Sequence, residues 1–349
     1  MKPPTPNIKR RRFVEIDGCC IMLRHIHLIP LAAESLGVRS MCTYVQTPDV
    51  KILLDAGVSL CPKRFGLPPH PSEFRAIDSC RRRIALFAKE AEVLTVSHYH
   101  FDHHTPSYED WLCNWTENVE TAREIYEGKI ILAKNAREKI NHSQRRRGWM
   151  FRKTGGKFAE KIQIADGKTF LFGEFTKIRF SEPVFHGSED SPLGWVLMTT
   201  IEYQGEKFLF TSDVQGPMCP GTLELILRED PEVVMIGGPP LYLAGFKVKE
   251  EDIGRGLRNL ERIVQNIPYT ILEHHILRDK DWRTKTGNVF EKALSHGHKV
   301  LTSAEFLGKK NLFLESVRDH LFVQNPPSRD FEKWMRKTQW ERRHVKPPI

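Results

Sequence analysis

Between positions 97 and 104 the chain reads Ser-His-Tyr-His-Phe-Asp-His-His. Imidazole and carboxylate are the donors that suit zinc and other divalent ions. Along an extended loop, alternation points His98 and His100 to one side, where both reach a single metal. Asp102 and His103, just beyond, can serve a second. His104 is an extra histidine, read as a hydrogen-bonding residue of the loop. In a chain with 15 histidines among 349 residues, this arrangement arises by chance on the order of 10⁻³ times per chain. A cluster of surface histidines is the competing reading, and that frequency speaks against it.

Such groups need a strand to carry them. Val93-Leu94-Thr95-Val96 is a short apolar run that delivers Ser97 and His98 at its C-terminal end. Upstream, Met41–Gln46 and Val50–Leu54 read as strands joined by the turn Thr47-Pro48-Asp49. A proline-broken loop, 62–71, leads to a helix that Ser72 would cap, with Ile77, Cys80, Ile84, Phe87, Ala88 and Ala91 at helical spacing. Residues 107–160 are polar, aromatic and basic. Apart from Ile130–Ala133 they show poor strand periodicity, and a mostly helical insertion is expected. Strands follow at Lys161–Ile164, Thr169–Phe172, Thr176–Phe180, a long Gly194–Tyr203, and Lys207–Thr211. Helices and strands then alternate: Leu223–Arg228, Val233–Ile236, Glu250–Gln265, Tyr269–Leu272. This order predicts an α/β fold, two mixed sheets in a sandwich with helices outside. One domain is expected over 14–325, flanked by a basic N-terminal tail, 1–13, and a basic aromatic C-terminal tail, 326–349.

His-x-His-x-Asp-His after a buried strand resembles the hallmark of the metallo-β-lactamase superfamily. There an aspartate ends an earlier strand, and a His, an Asp and a His follow, each at a strand end. Matching residues occur here in order: Asp55, His186, Asp213, then His274 and His275. The correspondence spans roughly residues 40 to 280. It implies an αββα sandwich with His98, His100 and His186 at a first metal. Asp102, His103 and one of His274/His275 would hold a second, with Asp213 bridging and Asp55 bracing the histidine loop. A hydroxide between the ions would be the nucleophile. The catalytic candidates are then Asp102, Asp213 and His275. The superfamily pattern slightly favours His274 as ligand, leaving His275 as an alternative ligand or as the proton donor to the leaving group. Zinc is the first expectation for both ions, and manganese or iron fits the same donors. The stretches 33–40, 212–217 and 274–279 further resemble a little-characterised, largely archaeal family of metallo-β-lactamase-fold hydrolases. That likeness implies a fold and a reaction class, without a substrate.

Composition sets the surroundings. Hydrophobic residues make 40% of the chain and charged residues 28%, ordinary for a folded protein. No apolar run approaches the roughly 20 residues of a membrane helix, and no apolar stretch follows the basic, proline-rich start, so neither a membrane span nor a secretory signal is expected. The seven cysteines are odd in number and contain no Cys-x-x-Cys pair, which points to reduced thiols and a cytoplasmic setting. A net charge of +9 permits an anionic partner, nucleic acid among the candidates.

Substrate contacts are expected from Arg146 and Arg147, within the segment Asn141–Arg147 that offers amides and guanidiniums to a phosphate. A solvated basic helix is the plainer reading of that segment. Arg278 could bind an anion, or pair with Asp279 or Asp281. Tyr242, after the stiff Gly237-Gly238-Pro239-Pro240 loop, is placed near the sheet edge and the pocket. The aromatic, basic stretch Trp334–Arg343 could stack on nucleic acid; more often such a tail is a helix docked on its own domain. By the resemblance, redox members replace one metal histidine by a carboxylate, whereas His100 keeps the hydrolytic pattern. A phosphoester, nucleic acid among its forms, is the first substrate expectation. A small-molecule lactone, ester or cyclic phosphate follows, and a metal-stabilised binding protein without turnover comes last. Against a nuclease, Thr105-Pro106 stands where transfer-RNA-processing relatives often carry a glycine.

Overall fold

The computed structural model describes residues 23–189 and 191–349. The expected tail at 1–13 and the cysteines at 19 and 20 lie outside the described residues. Sheet one contains β1 (His27–Pro30), β2 (Thr43–Gln46), β3 (Lys51–Leu54), β4 (Val93–Val96), β5 (Ile130–Ala133) and β6 (Lys161–Ile164), in that spatial order. The strands β1, β2 and β3 pair antiparallel, and β3 to β6 run parallel. Sheet two runs from β7 (Thr169–Phe172) and β8 (Thr176–Phe180) through β11 (Thr199–Tyr203), β12 (Glu206–Phe210), β13 (Val233–Gly237) and β14 (Tyr269–Glu273) to β15 (Lys299–Leu301). A short ribbon pairs β9 (Val184–Phe185) with β10 (Trp195–Val196).

Alternation within these strands builds the layers. Ile52 and Leu54 of β3 face Phe208 and Phe210 of β12 and Met235 of β13 in the core between the sheets. The intervening Leu53 and Leu94 pack outward under α1 (Pro71–Glu90), α2 (Val119–Tyr126) and α3 (His142–Lys153). On the far side, Leu209, Val234 and Leu272 pack under α4 (Pro220–Glu229) and α5 (Glu250–Asn266). The result is the αββα sandwich the sequence implied, each fully buried large aliphatic or aromatic side chain contributing roughly 1.5–3 kcal/mol. Among the described residues, no helix is long and apolar enough to cross a membrane.

Three local expectations change. His70, rather than Ser72, caps α1: its ring accepts the Ser72 N–H at 3.2 Å, and Glu73 closes a capping box. Pro71 occupies the first turn, where its missing N–H is not needed. Residues 107–160 are not a mere insertion, because they include β5 of sheet one, with α2 in the crossover from β4 to β5 and α3 in the crossover from β5 to β6. The long strand expected at Gly194–Tyr203 breaks at Leu197 and Met198. The Leu197 N–H bonds the Ser97 carbonyl and the Met198 N–H the Ser181 hydroxyl, so the chain leaves the ribbon to enter sheet two.

The C-terminal stretch is docked rather than free. Phe331 (0% exposed) and Trp334 (2% exposed) belong to the core under α1, with Phe74 edge-on to Trp334. The Trp334 indole donates to the Val345 carbonyl, and the Trp111 N–H bonds the Arg343 carbonyl, bringing the last helix, Gln339–His344, beside the 108–116 loop. Phe331→Ala should therefore lower unfolding stability by about 3–5 kcal/mol, read from the urea midpoint at unchanged m. A loss under about 1 kcal/mol would show that this segment is peripheral.

Candidate metal centre

Each candidate group lies just past the C-terminal end of a strand: Asp55 after β3, His98 after β4, His186 after β9, Asp213 after β12 and His274 after β14. Three of these ends turn through non-glycine residues in the left-handed region, Asp55 (φ 47°), Ser212 (φ 53°) and His274 (φ 66°). Such conformations cost on the order of 1–3 kcal/mol and persist only where the surroundings fix them.

Asp55 supplies much of that fixation. Its carboxylate, fully buried, accepts the Ser97 N–H at 2.9 Å, the Ser97 hydroxyl, the Ser212 hydroxyl at 2.8 Å and His103 Nδ1 at 2.9 Å. One side chain thus ties the ends of β3, β4 and β12 together. It also accepts the hydrogen bond from the His103 Nδ1–H, which turns Nε2 toward the site. Gly57 provides the room: a Cβ there would lie 2.2 Å from the His104 nitrogen and 2.4 Å from the His103 nitrogen. The histidine loop can fold back, with His103 and His104 N–H groups both on the His100 carbonyl, only because position 57 has no side chain.

Asp213 is the centre of the constellation. Its Oδ2 is 2.6 Å from His186 Nε2, 3.8 Å from His98 Nε2 and His103 Nε2, and 3.9 Å from His100 Nδ1. Its Oδ1 is 3.0 Å from His275 Nε2 and 3.3 Å from His274 Nε2. Asp102 Oδ2 lies 3.7 Å from His274 Nε2. Donor atoms of His98, His100, His186 and Asp213 fall within 4.8 Å of one another, as do those of Asp102, His103 and His274. All eight residues named as metal ligands come together.

The electrostatics follow from crowding. Burial, then the neighbouring His103, His100 and His186 rings, holds His98 well below its ordinary range. Burial likewise lowers His100. Burial alone would raise Asp213 and Asp102, but the imidazoles around them hold both carboxyls low. His274 is opposed by burial yet raised to about 9 by Asp213. The field that favours a proton there equally favours a metal cation.

Several buried atoms in this cluster have no hydrogen-bond partner among the described residues: His103 Nε2, both His186 ring nitrogens, Asp213 Oδ1 and His275 Nε2. They are close together without pointing along one another's hydrogen-bond directions. Left alone, buried unpartnered polar atoms cost roughly 1–3 kcal/mol each. Divalent cations would satisfy His103 Nε2, His186 Nε2 and Asp213 Oδ1 together, and the donor set of imidazole and carboxylate suits zinc, manganese or iron. The residues fit.

The outer groups divide. His104 bonds the His100 carbonyl at 2.9 Å, and burial lowers it to about 3, as befits a loop residue. Arg278 pairs with neither Asp279 nor Asp281 but with Glu34, at 2.5 Å; Asp279 is taken by Lys285. Its guanidinium is 3% exposed at the cleft wall, with Nη1 3.1 Å from His275 Nδ1. Arg147 lines the cleft, whereas Arg146 lines an adjoining cavity. Tyr242 lines neither and instead stacks on Arg64, 4.5 Å from its guanidinium. Asn141 is occupied as the cap of α3, accepting the Gln144 N–H. Sequence reasoning gave no role to Glu34, Ser35 and Glu273. Glu273 accepts the Ser35 hydroxyl and the Ser303 N–H, clamping the end of β14 to the 33–36 turn. Glu34 and Ser35 lie in the stretch 33–40 that carries the family resemblance, and Glu273 reads in the sequence as the polar residue before His274.

No family model matches the chain. It is 42% identical to the UPF0282 protein of Methanopyrus kandleri, over 85% of this chain and 99% of that one. It is 43% identical to the UPF0282 protein of Methanocaldococcus jannaschii, over 84% and 96%. Among solved structures it is similar to the metallo-β-lactamase fold protein YhfI from Bacillus subtilis (12% identical, TM-score 0.45, covering 82% of this chain and 98% of that one). It is also similar to CmlA, a diiron β-hydroxylase from Streptomyces venezuelae (11%, TM-score 0.48, 80% and 52%).

Gly57→Ala should push the histidine loop off its seat, with a stability loss of about 1–3 kcal/mol and a drop in bound metal measured by plasma emission spectroscopy. Unchanged stability and metal content would show that the loop tolerates a side chain beneath it.

Proposed function

We propose that this chain, which belongs to the UPF0282 family, is a metal-dependent hydrolase acting on a phosphoester. The single observation that carries the reading is that donor atoms gather in two adjoining groups, His98, His100, His186 and Asp213 in one and Asp102, His103 and His274 in the other, each within 4.8 Å. His98, His100 and His186 would hold one ion, and Asp102, His103 and His274 a second, with Asp213 between them. Two such ions, when bound, supply Lewis acidity and lower the pKa of water enough for it to act at neutral pH.

The neighbouring residues support different roles for the paired histidines. Arginine only donates, so Arg278 Nη1 at 3.1 Å makes His275 Nδ1 an acceptor. The neutral ring then carries its proton on Nε2, facing Asp213 and the cleft. In that tautomer His275 is a proton donor to a leaving group rather than a ligand. His274 differs. Arg278 Nη2 lies 3.3 and 3.4 Å from its two nitrogens, across the ring, while Glu34 lies 3.4 Å from Nδ1. Glu34 can take the Nδ1 proton, which leaves the Nε2 lone pair toward Asp102 and Asp213.

An anionic substrate is supported by the cleft wall, which includes Arg39, Arg147, Arg278 and Arg343. Arg39 is held by Glu315, Arg278 by Glu34, and Arg343 lies 3.7 Å from Asp110. Arg147 has no carboxylate within ion-pair distance among the described residues; its Nη1 donates to the Tyr99 carbonyl at 3.5 Å, and its remaining N–H groups can meet a phosphate oxygen. Two-metal sites suit in-line displacement at phosphorus.

Assayed with manganese or zinc, the purified protein should hydrolyse bis-p-nitrophenyl phosphate, and His100→Ala should reduce this below detection. His275→Ala should cost about 10²–10⁴-fold in kcat on an alkyl phosphodiester, and far less on the p-nitrophenyl ester, whose leaving group needs no proton. Turnover confined to lactones would replace the phosphoester with a small-molecule ester. Ions bound without any turnover would favour a binding protein.

A further inference from the structure

We propose that the cavity between the histidine loop and α3 receives the organic part of the substrate, and that this part is nucleoside-like: a flat ring with polar edges, joined to a phosphate at the metal cleft. The placement of the phosphate rests on the hydrolase reading above. The cavity measures about 450 Å³, within the range of small-molecule sites. Phe101, Tyr108 and Arg147 line both this cavity and the metal cleft. A group attached to a phosphate in the cleft therefore extends past these three side chains.

The walls fit a flat ring. Phe101 and Tyr108 stand edge to face, their centroids 5.7 Å apart, and Tyr108 and Met150 leave 37% and 42% of their surface uncovered. Aromatic and thioether surfaces pack well against a planar π-system. The polar lining fits the edges of such a ring: His142, Ser143 and Arg146 face the cavity without a side-chain partner among the described residues. Among the described residues, no aspartate or glutamate lines the space, so neutral or anionic groups are accepted and cations are not selected. Arg147 stands at the junction, its guanidinium 4.7 Å from the Phe101 centroid. The stacking and the bond from Nη1 to the Tyr99 carbonyl hold its plane, while its remaining N–H groups can meet a phosphate oxygen.

The test is calorimetric titration of the full-length protein, as purified, with adenosine 5′-monophosphate, inorganic phosphate and adenosine. The nucleotide should bind at least ten-fold more tightly than phosphate. Ser143→Trp fills the cavity from an exposed position on α3 and should weaken the nucleotide ten-fold or more while leaving phosphate binding unchanged. Arg147→Ala should weaken both anions. Arg145→Ala, on the outer edge of α3 and away from the cavity, should change neither. A nucleotide no tighter than phosphate, or one indifferent to Ser143→Trp, would overturn the proposal. Because binding is read rather than turnover, an inactive protein that still prefers the nucleotide contradicts only the hydrolase reading. An active one that ignores the ring contradicts only this inference.

Discussion

A carboxylate buried among imidazoles is the constraint from which the rest of this molecule follows. Asp213 has almost no exposure, and its two oxygens face rings that arrive from strands in both sheets and from the β9–β10 ribbon. Charge and lone pairs in that density are unfavourable unless something positive sits among them. The fold around them is organised to hold the arrangement rather than to relieve it. Strand ends turn through strained residues, Asp55 binds three of the ends together, and a glycine lets the histidine loop lie flat.

The two sheets make distinct contributions. Sheet one, with its parallel strands β3 and β4, carries Asp55 and the histidine loop, a compact unit whose residues are close in sequence. Sheet two contributes Asp213 and the His274–His275 pair, which are far from that loop in the chain but reach it because β12, β13 and β14 run parallel and end at the same edge. Behind the second set stands another clamp, Glu34 on Arg278 and Glu273 on Ser35, so the turn at 33–36 from sheet one also fixes the end of β14. The site is assembled across the sandwich, and neither half carries it alone.

Much of this was legible in the chain. The motif at 98–103 has local spacing, and each later residue follows a short apolar run, so strand ends and candidate ligands could be read together. What escaped reading depended on distant partners. Arg278 looked equally ready for Asp279, because nothing in sequence marks Glu34, 244 residues away, as its partner. Tyr242 was placed by its loop, yet Arg64 claims its ring. The break at Leu197 reflects a bond to Ser97 that alternation alone does not encode. The basic aromatic C-terminus read as a tail whose plainer form was a docked helix, but its composition did not show that Phe331 and Trp334 complete a core whose other half is α1.

The claim that cations complete this cluster is tested most directly by counting them. Full-length protein, purified without added metal and dialysed against metal-free buffer, should carry close to two divalent ions per chain by plasma emission spectroscopy. Asp213→Ala should then fall below one. Protein that folds with the same stability and carries no tightly held ion, or an Asp213→Ala variant that retains the full complement, would contradict the account.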